Sequence, residues 1–130
     1  MAVLIYMENN IYYGTMVSED VVLGVLGNAS RRRLLMLLAS FGELCVCELF
    51  QAVSLPQATV SRHLARARQA HLVEARRQGI WMYYRLSRDL SPWITDILSA
   101  LQGGPGGQIY HDDRRRLQAM PNRPTPCCDH

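Results

Sequence analysis

Apolar positions in the first part of the chain recur every three or four residues, the spacing of helices with one buried face. The first stripe follows Ser18, a favourable N-cap residue, and Gly27 ends it. The second stripe follows Asn28, and Gly42 ends it. The apolar residues of the two stripes are Val21, Val22, Val25, Leu26, Leu34, Leu35, Leu37 and Leu38. We therefore predict two helices that share a core.

A short third element over residues 43–53 and a longer fourth helix are predicted next. Ser54 and Gln57 have the spacing of a capping box, which predicts a fourth helix from about Leu55 to about Ala70. The helical wheel divides this helix into two faces. Its apolar face consists of Val60, Leu64 and Ala67, and its opposite face of Ala58, Arg62, Ala65 and Gln69.

Two short runs rich in aromatic and β-branched residues follow, Leu72 to Ala75 and Ile80 to Leu86. They meet at Gln78 and Gly79, and glycine supplies the positive φ of a tight turn, so we predict a β-hairpin. Ser91 and Pro92 then suit the first positions of a last core helix. The glycine-rich stretch 103–107 ends it.

These elements predict a mainly α fold with a small β-hairpin, organised as a winged helix-turn-helix. The domain is expected over residues 17–102. Residues 1–16 are interpreted as an N-terminal appendage and residues 103–130 as a flexible C-terminal tail. No apolar run reaches the ~18 residues that span a membrane. Residues 1–16 also lack the basic leader of a secretory signal, so we expect neither membrane contact nor export.

Positive charge is concentrated in one segment. The formal net charge is +3 and every one of the 14 basic residues is arginine, yet residues 61–88 hold seven arginines and a single acid. Such clustering indicates a surface that binds a polyanion, and after a helix-turn-helix the expected polyanion is double-stranded DNA. The predicted DNA-binding residues are Gln57, Thr59, Ser61, Arg62 and Arg66 in the fourth helix and Arg76, Arg77 and Gln78 in the hairpin.

The four cysteines form two close pairs, Cys45 with Cys47 and Cys127 with Cys128. This spacing does not suit the disulfides that hold together the loops of small secreted proteins. It favours a reduced, cytoplasmic protein whose thiols serve as ligands or redox groups. Because thiolates select soft ions, all four cysteines are candidate ligands of a thiophilic metal or metalloid.

The chain resembles the ArsR/SmtB metalloregulatory repressors over residues 21–101. Three stretches carry the resemblance: residues 43–49 around Cys45 and Cys47, residues 60–64, and residues 77–87 of the hairpin. The resemblance implies a winged-helix homodimer, joined by its first and last core helices, that represses its own operon at an inverted-repeat operator. The cysteine motif is similar to that of arsenic-responsive members. It implies that trivalent arsenic or antimony is the inducer ligand that releases the DNA, with no cofactor needed for activity.

The chain departs from that family pattern in its candidate metal ligands. Phe50 stands where arsenic-sensing relatives carry a third cysteine, so Cys127 and Cys128 are the candidates to complete the site. The last core helix offers Asp96 but no histidine, which excludes the zinc site of other relatives. A cadmium- or lead-responsive repressor and a thiol redox-sensing repressor of the same fold stay open as alternatives. An enzyme is not expected, because we find no glycine-rich phosphate loop and no plausible Ser/His/Asp arrangement.

The spacing of Cys45 and Cys47 also suggests a mechanism. In a regular helix residues i and i+2 point to different faces, so both sulfurs can bind one ion only where the backbone is irregular. We hypothesise that effector binding distorts the first helix of the helix-turn-helix. That distortion would shift Arg62 and Arg66 off the DNA.

Overall fold

The computed structural model describes residues 18–120 of the chain. Its helices are α1 (Glu19–Leu26), α2 (Ala29–Phe41), α3 (Val46–Val53), α4 (Gln57–Gln69), α5 (Pro92–Gln102) and α6 (Gly107–Gln118). Its strands are β1 (Leu44–Cys45), β2 (Val73–Gln78) and β3 (Trp81–Leu86), which form an antiparallel sheet in the order β1-β3-β2. Within residues 18–120 no helix is both long enough and apolar enough to cross a membrane.

The predicted starts of the first two helices are confirmed by their caps. The Ser18 hydroxyl accepts a hydrogen bond from the backbone N–H of Val21 at 3.2 Å. The Asn28 side chain accepts one from the backbone N–H of Arg31 at 3.0 Å. Each cap satisfies a donor that has no partner inside the helix. Helix α2 is the centre of the core, since its residues 34–38 are all buried and it packs against α1, α3, α4, α6 and β3.

Helices α3 and α4 form the predicted helix-turn-helix, but the predicted capping box is wrong. Ser54 adopts the left-handed conformation, with φ 57° and ψ 45°, and ends α3 instead of starting α4. Pro56 is the N-cap of α4 without a side-chain hydrogen bond, and the helix begins at Gln57, two residues after the predicted Leu55. The chain must reverse direction within residues 54–56, and a left-handed residue makes that reversal possible.

The predicted hairpin is confirmed as β2 and β3, with Gln78 opposite Trp81 and Gly79 at φ +65° in the turn. The sheet has a third strand that the sequence pattern did not predict. Strand β1 pairs with the other edge of β3, with Leu44 opposite Tyr84 and Cys45 opposite Tyr83. The wing is therefore joined to the segment that enters the helix-turn-helix.

The prediction of a flexible tail from residue 103 is wrong for residues 107–118, which form helix α6. This helix buries Tyr110, Asp113 and Leu117 and packs against α2, α3 and α5. Gly107 permits its close approach to α5, because a Cβ there would lie 2.5 Å from the carbonyl oxygen of Gln102. The predicted appendage, residues 1–16, and the cysteines Cys127 and Cys128 lie outside the described residues.

Candidate functional site

The exposed face of α4 carries the predicted base-reading residues. Val60, Leu64 and Ala67 are buried against the core, as the helical wheel predicts. Gln57, Arg62 and Arg66 are exposed, and Thr59 and Ser61 are half-buried beside them. Neither Arg62 nor Arg66 forms an ion pair with a carboxylate of residues 18–120, so both charges are available to an external anion.

Arg31 extends this positive surface, and the sequence analysis did not identify it. Its guanidinium donates to the carbonyl oxygens of Val25 and Gly24, at 2.9 and 3.1 Å, and lies 3.4 Å from Nδ1 of His63. Burial and the neighbouring Arg66 lower the pKa of Arg31. Burial, followed by Arg31 and Arg62, also lowers the pKa of His63. The neutral imidazole of His63 is therefore favoured beside these positive charges.

The two arginines of the wing differ in their surroundings. Arg76 forms a bidentate ion pair with Glu43, at 2.8 and 2.7 Å, and lies over the ring of Tyr83 at 4.6 Å. The hydrogen bond from Arg76 lowers the pKa of Glu43, and the same bond raises the pKa of Arg76. Arg77 is exposed and has no such carboxylate partner in the part of the chain that the structure describes.

The cysteine pair lies where extended chain changes into helix. Cys45 ends β1 with φ −88° and ψ 164°, and Cys47 lies in the first turn of α3. Both are buried, with 1% and 2% of their surface exposed. The Glu48 carboxylate accepts a hydrogen bond from the Cys45 backbone N–H at 3.0 Å and so helps to fix the start of α3. The backbone between the cysteines is therefore irregular, which is the condition the sequence analysis set for two sulfurs on one ion.

Both cysteines are disulfide-bonded in the structure rather than free thiols. The described residues contain no cluster of three or more histidine, cysteine or acidic side chains that could hold a metal ion. Cys127 and Cys128, the predicted further ligands, are not among the described residues.

The far end of α3 is held by α6, a contact that the sequence analysis missed. Arg33 donates to the carbonyl oxygen of Val53 at 3.0 Å, and Arg116 donates to that of Ala52 at 2.7 Å. Both guanidinium groups bind the buried carboxylate of Asp113. The spacing of Tyr110 and Leu117, two helical turns apart, was the available signal for this helix. The run of charged residues between them, Asp112 to Arg116, obscured it.

The chain matches a known family and known proteins over this region. The family described as "Bacterial regulatory protein, arsR family" matches residues 28–75. The arsenic resistance transcriptional regulator ArsR2 of Pseudomonas putida is 40% identical over 117 residues, which cover 87% of this chain and all of that protein. The arsenical resistance operon repressor of Escherichia coli is 40% identical over 96 residues, covering 74% of this chain and 75% of its own length.

A solved structure supports the same comparison. The solution structure of a homodimeric winged helix-turn-helix DNA-binding domain from Mycobacterium bovis, a possible ArsR-family transcriptional regulator, has a TM-score of 0.55 and 31% identity. The match covers 65% of this chain and 74% of that one. These similar proteins are regulators of transcription and not enzymes.

Proposed function

The chain belongs to the ArsR family as a winged helix-turn-helix transcriptional repressor, and we propose that it represses an arsenic-resistance operon until trivalent arsenic or antimony binds its cysteine thiolates. One structural observation carries the proposal. The cysteine pair lies at the junction of β1 and α3, and α3 packs directly against α4, which exposes Arg62 and Arg66. A structural change at the two sulfurs therefore has to pass through only one helix, α3, to reach the DNA-binding face.

The proposed DNA interface consists of the exposed face of α4 and the end of the wing. Arg62 and Arg66 are long enough to reach guanine edges or phosphates from a helix in the major groove. Gln57, Thr59 and Ser61 lie on or beside the same face and supply further hydrogen-bonding groups. Arg77 and Gln78 reach the phosphates or the minor groove beside the helix. Arg76 is not counted among these contacts, because its guanidinium is bound to the carboxylate of Glu43.

We propose that the repressor is a homodimer joined through α1 and α5. Leu23 on α1 and Trp93 on α5 are large apolar residues with 52% and 36% of their surface exposed. Leu26, Ile97 and Leu101 continue this apolar surface in a groove between the two helices. A twofold dimer would cover it and present two copies of α4 to an inverted-repeat operator. The Mycobacterium bovis domain, which is homodimeric, supports this assembly.

The proposed inducer site consists of Cys45 and Cys47, with Cys127 or Cys128 as a third ligand. Trivalent arsenic binds two or three sulfurs, so a two-cysteine site with one further thiolate suits it. The effector binds the reduced protein, as expected of a repressor in the cytoplasm. Since both sulfurs are buried, an ion must displace the start of α3 to reach them. That displacement gives the effector a different affinity for the two states of α3, which is the requirement for allosteric release.

Fluorescence anisotropy of the reduced protein on labelled DNA from upstream of its own operon tests the proposal. We expect arsenite at micromolar concentration to dissociate the complex. The double variant Cys45→Ser/Cys47→Ser should bind the same DNA and stay bound when arsenite is added. Cys127→Ser/Cys128→Ser removes only the proposed third ligand and should weaken the response without abolishing it. Dissociation by cadmium or lead but not by arsenite would overturn the choice of effector and leave the repressor function intact.

A second candidate function is a repressor that senses thiol oxidation. The disulfide-bonded state of Cys45 and Cys47 favours it. Two thiols lose two protons and two electrons to an oxidant such as a peroxide, and a disulfide forms. In the same anisotropy assay, release by peroxide, reversal by a dithiol reductant and no response to arsenite would establish this function. Release by arsenite under reducing conditions would exclude it as the main signal.

A further inference from the structure

The hydrogen-bonding groups of Arg76 are largely occupied inside the protein. Its Nε and Nη2 donate to the two carboxylate oxygens of Glu43, at 2.8 and 2.7 Å, and its Nη1 donates to the side-chain oxygen of Gln78 at 2.7 Å. Its guanidinium also lies over the aromatic ring of Tyr83. Arg76 keeps its positive charge, but together with the carboxylate of Glu43 it forms a pair without net charge, which attracts a DNA phosphate only weakly.

Glu43 connects this arginine to the cysteine segment. It directly precedes β1, whose second residue is Cys45. Cys45 lies opposite Tyr83 on one side of β3, and Arg76 lies opposite the same tyrosine on the other side. The wing is thus attached to the cysteine segment twice, by the β1–β3 pairing and by the ion pair between Glu43 and Arg76.

We propose that Glu43 and Arg76 anchor the wing to the cysteine segment, so that Arg76 positions the wing while Arg77 makes its phosphate contact. Arg77 follows in the sequence, is exposed and has no carboxylate partner among residues 18–120. As far as it concerns the effector, the inference rests on the proposed function. An ion that displaces Cys45 then moves β1, and the anchor carries this movement to the wing. The inducer would in this way weaken DNA binding at the wing as well as at α4.

The salt dependence of DNA binding separates a positioning residue from a phosphate ligand. Each neutralised phosphate contributes about −0.9 to the slope of log affinity against log salt concentration. Arg77→Gln should therefore make the slope less steep by about 0.9 per subunit. Arg76→Gln should weaken binding and leave the slope unchanged. If Arg76→Gln flattens the slope as much as Arg77→Gln does, Arg76 is a phosphate ligand and the inference fails.

Hydrogen exchange of the wing amides tests the anchor without DNA and without effector. Glu43→Gln and Arg76→Gln should speed exchange in β2 and β3, whereas Arg77→Gln should not. The charge swap Glu43→Arg/Arg76→Glu keeps the net charge and should restore protection. The anchor would be overturned if the wing amides exchanged equally fast in Arg76→Gln and Arg77→Gln. It would also be overturned if the charge swap protected these amides no better than the single substitutions do.

The link to the effector is measured as the ratio of DNA affinity without and with arsenite. We expect Glu43→Gln and Arg76→Gln to lower this ratio severalfold and the swap to restore it. If the single variants lose hydrogen-exchange protection in the wing but keep the wild-type affinity ratio, the anchor exists but does not transmit the effect of arsenite to the wing. If wild-type protein does not respond to arsenite at all, the proposed inducer is wrong, and the salt slope and hydrogen exchange still decide the role of Arg76.

Discussion

Arg33 on α2 donates two hydrogen bonds to the carboxylate of Asp113 on α6, at 2.8 and 2.7 Å. Arg116 donates to the same carboxylate at 2.6 Å. Only 1% of the Asp113 side chain is exposed, so one buried negative charge orients two guanidinium groups. Both groups also bind the last carbonyl oxygens of α3, which have no partner inside the helix. Helix α6 therefore fixes α3 just before the turn that leads into α4.

The first prediction is that Asp113→Ala destabilises the protein by about 2 kcal/mol. Removing one member of a buried ion pair costs about 3–5 kcal/mol, because the remaining charge is left without a partner. Here Arg33 and Arg116 are 21% and 45% exposed, and water relieves part of that cost. Urea unfolding at a fixed protomer concentration measures the change.

Asp112→Ala is the matched control for this measurement. Asp112 is the preceding residue of the same helix, and its carboxylate accepts a hydrogen bond from the side-chain nitrogen of Gln108 at 2.9 Å. We expect its loss to change the free energy of unfolding by less than about 0.5 kcal/mol. Equal effects of the two substitutions would show that the contact between α6 and α3 contributes nothing to stability.

The hydrophobic pattern was sufficient to predict α1, α2, the hairpin and α5, since each of these has a clear period and a strong cap or breaker. It was also sufficient for the two faces of α4. It failed at Ser54, whose side chain suits an N-cap but whose backbone is needed for the reversal between α3 and α4. A residue type that favours both caps and turns does not reveal which one the chain uses.

The charged contacts could not be predicted from the sequence, because they join segments far apart along the chain. Arg33 and Asp113 meet only when α6 folds back onto α2. Glu43 and Arg76 likewise meet only through the pairing of β1 with β3 and of β3 with β2. Sequence spacing reports neighbours within one helix or strand. It contains no signal for an ion pair between distant elements.

The second prediction concerns the α4 face. Arg62→Gln should weaken operator binding by about 1–3 kcal/mol if Arg62 contacts a guanine, and should relax specificity at that base pair. If eight phosphates are contacted per dimer, the wild-type slope of log affinity against log salt is about −7. Arg115→Gln, on the exposed side of α6, is the control and should leave affinity and slope unchanged. A wild-type slope near zero would contradict the basic DNA interface.

The third prediction is a dependence of stability on pH that arises from His63. Its pKa is lowered, first by burial and then by Arg31 and Arg62, so the unfolded chain binds this proton more readily than the folded one. The contribution of neutral His63 to the stability of the fold is fully present above about pH 6.5, the pKa of an unperturbed histidine. It is lost as the pH falls through the lower pKa that His63 has in the folded protein.

Urea unfolding at about pH 7.5 and about pH 5.5 measures this loss. The decrease in stability should be smaller in His63→Gln than in the wild type. His111→Gln, at an exposed position of α6, is the control and should keep the full decrease. An identical decrease in all three proteins would assign the pH dependence to other groups.

The fourth prediction concerns the C-terminal cysteines. Removal of residues 121–130 takes away Cys127 and Cys128 but leaves α6, which a cut after Gly107 would destroy. We expect the shortened protein to bind DNA as the wild type does and to need about tenfold more arsenite for release, because one thiolate ligand is lost. Isothermal titration of the reduced proteins with arsenite measures the affinity. Unchanged affinity for arsenite would show that neither Cys127 nor Cys128 is a ligand, and that Cys45 and Cys47 are the thiolates of the site.

The fifth prediction concerns the dimer surface. Leu23→Glu should shift the protein toward monomers by placing a charge in the apolar contact between the two subunits, and sedimentation equilibrium measures the association constant. Ile80→Glu is the matched control, because Ile80 is also a large exposed apolar residue, at 78%, but lies in the wing turn. Its substitution should leave the association constant unchanged. A monomer contacts only one half-site of the operator. Leu23→Glu should therefore also reduce operator affinity, although α4 is unchanged. If Leu23→Glu dissociates no more than Ile80→Glu, the protein does not dimerise through α1.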